Sequence, residues 1–169
     1  MNKLSLLFKA GLFLTILLAA AVPARAQAVK TEFTGVSYLA GLIDPGVETY
    51  PDGNVHVRGL TLLYFDDLSD PRVTGFDTVL VNYNMRSAPS PVVITGPMWG
   101  TMHIENEGGY WDGTWTGVRD EQGFAYLRGV VHGHGGYEGL KANYELTRLS
   151  PDPNAPFNVT GAILDPPGE

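Results

Sequence analysis

Residues 108–146 read GGYWDGTWTGVRDEQGFAYLRGVVHGHGGYEGLKANYEL. Aromatic and β-branched residues alternate there with glycines, and turn-forming clusters interrupt the run about every ten residues. That is the period-two pattern of an antiparallel meander rather than a helical period. Near its end Leu140, Ala142, Tyr144 and Leu146 alternate with Lys141, Asn143, Glu145 and Thr147. The first set is expected to face a core and the second water. A turn around Glu107 and Gly108 pairs Glu105 with Tyr110. This register puts Met102, Ile104, Trp111 and Trp115 on one face, and Thr101, His103, Glu105, Tyr110, Asp112 and Thr114 on the other.

The same reading extends outward. Strands are expected over Thr31 to Tyr38, Asn54 to Phe65, Phe76 to Met85, Met98 to Glu105, Tyr110 to Val118, Phe124 to His132, Leu140 to Arg148 and Phe157 to Leu164, with a short edge strand at Val92 to Thr95. The segment Ala40 to Gly53 reads as loop, with turns at Asp44-Pro45-Gly46 and Pro51-Asp52-Gly53, and Asp66 to Gly75 reads as a break. Val79, Val81, Tyr83 and Met85 oppose Thr78, Asn82 and Asn84. Residues 27–169 hold no good amphipathic helix. One apolar sheet face without a helix to cover it is best served by closure, which also removes open edges. The fold expected is all-β, a single antiparallel barrel of about eight strands, with a two-sheet sandwich as the alternative. Glycines 113, 117, 129, 133 and 135 suit the bending of a small barrel.

The first 26 residues read as an export signal. Lys3 and Lys9 precede an apolar run from Gly11 to Val22, and Ala24-Arg25-Ala26 supplies an A-x-A cleavage site. Cleavage before Gln27 would leave 143 of the 169 residues. That is one domain, large enough to bury roughly 68–70% of its unfolded surface. Without Lys3, Lys9 and Arg25, eight basic residues face 18 acidic ones, a formal charge of −10. Nucleic acid and anionic membrane surfaces are disfavoured as partners. The absence of cysteine excludes thiol catalysis, Cys-based zinc sites and a lipid-modified N-terminus. The expected location is the periplasm or the medium. Membrane insertion of the barrel is not expected, because Lys141, Glu145, Asp112 and Glu105 fall on its outer positions.

Arg58-Gly59, SDPRVTG at 69–75, GPMWGT at 96–101, WDGTWTG at 111–117 and GHGGYEGL at 133–140 together resemble a group of exported bacterial proteins of unknown function. The G-x-G-x-Y-x-G-L element is similar to a turn and strand of the allene oxide cyclase-like and dirigent-like barrels. That resemblance implies an eight-stranded barrel with a ligand-sized interior, often in a homo-oligomer. Plant members of those families act on lipid-derived epoxides or guide phenoxy-radical coupling. Their catalytic carboxylates and asparagines match no positions of this chain, so no catalytic residue is carried over.

Chemistry beyond binding is sparse in the motifs. His132 and His134 share a face, as do His103 and Glu105, but a strand separates the two segments by about 10 Å. Nothing in the spacing demands convergence on a metal, and none is expected. No G-x-S-x-G elbow occurs, and the glycine clusters open no helix, so neither a serine hydrolase nor a phosphate-bound cofactor is implied. Asp66-Asp67 and Asp120-Glu121 read as solvated turn carboxylates. The aromatic set remains: Tyr83, Met102, Trp111, Trp115 and Tyr144 point inward on the register above. They are either a filled core or the wall of a cavity for a small apolar or aromatic ligand, with phenol and indole donors. Arg58 alternates with Val55 and Val57. It anchors an anionic head group if it faces in, and is a surface charge if the valines do. The functions open to the chain are ligand binding, a cofactor-free isomerase or cyclase in the same cavity, and a structural module with a full barrel.

Overall fold

The computed structural model describes residues 29–87 and 94–166 (the side chains of Asp52, Ser87 and Ile94 excepted). The expected export signal lies outside them. The strands are β1 (Val29–Asp44), β2 (Val47–Thr49), β3 (Val55–Leu68), β4 (Gly75–Ser87), β5 (Ile94–Asn106), β6 (Gly109–Arg119), β7 (Ala125–Gly135), β8 (Lys141–Arg148) and β9 (Phe157–Asp165). Each long strand pairs antiparallel with its neighbour in sequence, and β1 pairs with both β9 and β3. The sheet therefore closes on itself as an eight-stranded up-and-down barrel, with β2 added against the start of β3. Closure excludes the sandwich. Among the described residues the only helical piece is a 3-10 turn at Pro51–Gly53.

The alternation in the sequence sets the walls. Glu105 pairs with Tyr110, and Met102, Ile104, Trp111 and Trp115 are buried as expected. Ala142 and Tyr144 are buried too, while Lys141, Asn143 and Glu145 are exposed. The inward-facing glycines of β6 and β7 make room for large neighbours. A Cβ at Gly129 would lie 3.0 Å from Met102 Sδ, and one at Gly133 would run into Tyr137. Each large apolar side chain so enclosed contributes roughly 1.5–3 kcal/mol.

Three segments differ from expectation. The stretch Ala40 to Gly53 is not all loop. β1 continues to Asp44 because β3 is long enough to pair with it, Gly41 to Leu63 and Leu42 to Leu62, with register shifts taking up the curvature. Asp44 Oδ1 then accepts the Gly46 amide, and Gly46 turns with φ 67°. The break expected at Asp66 comes later, since β3 runs to Leu68. There is no separate edge strand near Thr95: β5 begins at Ile94 and is paired on both sides, while residues 92 and 93 lie outside the described ones.

A bulge decides the parity of β3. Val57 pairs with Tyr83, and the next pairing is Leu60 with Val81. The extra residue sits at Gly59, whose φ of 75° suits glycine. Val57 and Leu60 thus both line the interior, and so do Leu62, Tyr64, Asp66 and Leu68 after them. Arg58 is left outside.

Candidate functional site

The barrel has one sealed end and one open half. At the sealed end the β3–β4 connection folds inward and Val73 is fully buried. Trp111 Nε1 donates to the Arg72 carbonyl at 2.7 Å, and the indole stacks on Tyr137 with centroids 5.3 Å apart. Asn106 Nδ2 donates to the carbonyls of Pro71, Arg72 and Thr74, and Asn106 Oδ1 accepts from Tyr137 Oη at 2.6 Å. The Arg72–Asp70 ion pair at 2.6 Å braces the same connection.

The other half holds a cavity of about 370 Å³. Its walls are mostly apolar: Leu60, Leu62, Val79, Val81, Met98, Met102, Trp115, Leu127 and Leu146 among them. It reaches outward to Leu42, Pro153 and Asn154, which are exposed. Of the residues singled out from sequence, Tyr83, Met102 and Trp115 line it. Trp111 belongs to the sealed end. Tyr144 is buried against Phe33, centroids 5.0 Å apart, and does not line the cavity. Arg58 lies on the outer face, donating to the Val57 and Tyr83 carbonyls and to Asn84 Oδ1 and lying over the Trp99 ring. The indole donors are also spoken for, since Trp115 Nε1 donates to the Thr101 carbonyl at 3.2 Å.

The polar groups that matter were not among those residues. Asp66 is no solvated turn carboxylate. It is 1% exposed, on the inner face of β3 beside Ser37 of β1. Asp77 on β4 is 3% exposed, pairs across from Tyr64, lines the cavity and accepts the His103 amide at 3.2 Å. Burial raises the Asp66 carboxyl to about 6, with the Ser37 hydroxyl pulling the other way. Burial, and then the neighbouring Asp66, push Asp77 well above the usual carboxylate range. Two carboxyls in one apolar interior cannot both ionise cheaply. Asp77 thus holds its proton more tightly than an ordinary carboxyl, at the wall of the cavity. Asp66 Oδ1 and the Tyr144 hydroxyl, both buried, lack hydrogen-bond partners among the described residues. Desolvation lifts the Tyr144 phenol, and Asp66 and Asp77 add to it.

At the outer part of the cavity two arginines face in. Arg119 ends β6, and Arg148 ends β8. Both line the cavity.

The histidines stand on the outer wall. His103 Nδ1 lies 2.7 Å from Asp112 Oδ1, His134 stacks on Tyr110 at 4.8 Å, and His132 is exposed. Among the described residues no three His, Asp or Glu side chains are grouped to hold a metal ion.

Fold and site together define a closed antiparallel barrel, sealed at one end, with an apolar cavity and a few buried ionisable groups. The chain matches no family model, no curated protein and no solved structure.

Proposed function

We propose that the protein binds a small hydrophobic or aromatic molecule inside the barrel. The observation that carries this reading is the cavity itself. Its 370 Å³ falls within the roughly 300–1,000 Å³ of small-molecule sites, and its wall is apolar with few polar groups. Such a volume weighs against a structural module with a full barrel. Titration with N-phenylnaphthylamine, a neutral dye, tests the reading. One dye per chain is expected, with quenching of Trp115 and about tenfold weaker binding in Trp115→Ala. Circular dichroism would verify that the variant keeps its fold. No dye binding, and no apolar molecule carried through purification on native mass spectrometry, would overturn it.

A second reading is a cofactor-free isomerase or cyclase, and Asp77 is what favours it. A carboxyl that burial makes hard to ionise, facing an apolar cavity, can donate its proton, or a hydrogen bond, to an oxygen of a held ligand. Turnover that disappears in Asp77→Asn while ligand still binds would support it. Export belongs to the same proposal: the secreted protein is expected to begin at Gln27, and an intact mass that still includes Met1 would count against it.

A further inference from the structure

The cavity is not uniform along its length. Its inner part is walled by Met102, Trp115 and Asp77, and its outer part carries Arg119 and Arg148. The register explains why these two arginines sit together. Arg119 pairs with Ala125, and Ala125 pairs with Arg148. They form one row across β6, β7 and β8, with the small Ala125 between them. Backbones two strands apart lie about 10 Å from each other, so two long side chains can reach the same point.

Both guanidiniums are held, but neither is neutralised. Arg119 donates to the carbonyls of Gly123 and Pro151. Arg148 Nη1 donates to the Pro153 carbonyl at 2.7 Å, and its guanidinium lies 4.8 Å over the Phe157 ring. Among the described residues neither takes part in an ion pair; Arg72 and Arg128 do, elsewhere. Asp152, on the β8–β9 connection, acts on Arg148 only from beyond ion-pair distance. Arg148 is 8% exposed, and its Nε has no hydrogen-bond partner among the described residues. A buried N–H of a cation without an acceptor is costly, and a second cation in the same row adds to that cost.

We propose that Arg148 and Arg119 form an anion subsite at the outer part of the cavity, so that the ligand is an apolar molecule with a carboxylate head. The tail lies against Met102 and Trp115, and the head accepts hydrogen bonds from the Arg148 and Arg119 guanidiniums. A planar carboxylate matches the fork of a guanidinium. This rests on the binding role proposed above and adds polarity to it: tail inward, acid outward.

Decanoate and decanol share one tail and differ in the head, which separates the two ideas. Each would be titrated into the protein at about pH 8, where a carboxylic acid is ionised, with tryptophan fluorescence or calorimetry as readout. Decanoate is expected to bind at least about tenfold more tightly than decanol. The ratio of the two affinities should fall towards one in Arg148→Gln and in Arg119→Gln. Arg148→Lys, which keeps the charge and loses the fork, should fall between. Equal binding of both probes by the unaltered protein would overturn the anion subsite and leave the binding role standing. An undiminished ratio in Arg119→Gln would overturn it as well, and does not depend on Arg148→Gln folding. If neither probe binds, the anion subsite falls, and the dye titration alone decides the binding role.

Discussion

The two ends of the barrel solve the same problem with opposite materials. At the sealed end the polar groups of the plug are paired: Asn106 serves three carbonyls and a phenol, and Trp111 donates to Arg72. In the open half Arg148 Nε goes without among the described residues, and Asp66 and Asp77 are harder to ionise than ordinary carboxyls. A fully satisfied network makes a rigid plug, whereas unsatisfied groups beside an empty space leave work for a ligand. The contrast separates residues that hold the barrel shut from residues available to something bound in it.

The largest expected effect lies at the plug. Trp111→Ala removes a fully enclosed ring, its stacking on Tyr137 and the donor to Arg72, and should cost about 3–5 kcal/mol in denaturant unfolding. A loss below about 1 kcal/mol would mean the plug is not what closes this end. At the boundary the effect is one of pH. Asp66 and Asp77 are harder to ionise folded than unfolded, so the folded chain keeps protons that the unfolded chain has released. Their contribution to stability is complete below the ordinary carboxylate value of 3.8 and is lost as pH rises through the folded value, about 6 for Asp66. That shift corresponds to something on the order of 3 kcal/mol. Asp77→Asn keeps the acceptor for the His103 amide and removes the charge. It should raise stability at neutral pH and flatten the decline measured between about pH 4 and 6. A decline equally steep in the variant would assign it to other groups. The smallest effect belongs to the outer wall. Arg58→Ala should change stability by less than about 1 kcal/mol and leave dye binding unaltered. A clear loss of binding there would place the ligand outside the barrel.

The fold was largely legible in the residues. Alternation in β6 and β8 and the pairing of Glu105 with Tyr110 follow from the pleat, which has no other way to bury Trp111, Trp115 and Tyr144. The charged residues of the interior were legible by the same rule. Leu62 and Tyr64 lead to Asp66, Val79 leads back to Asp77, Trp115 and Gly117 lead to Arg119, and Tyr144 and Leu146 lead to Arg148. Each is the next step of a pattern already visible. Charged side chains are seldom buried, and that general preference argued for ending the pattern one step early. Arg58 is the opposite case. Its side of the sheet depends on the bulge at Gly59, and a bulge leaves no reliable trace in hydrophobic periodicity.

The sequence by itself determined that this chain is a meander of strands with one apolar face, because period-two alternation admits no other secondary structure. It also determined which tryptophans turn inward. Only the tertiary structure decided that Trp111 plugs an end while Trp115 lines a space. The two residues are chemically alike and share a strand face, and the difference comes from the β3–β4 connection folding over one of them. That connection is brought there by barrel closure, a contact between β1 and β9 that no local pattern contains.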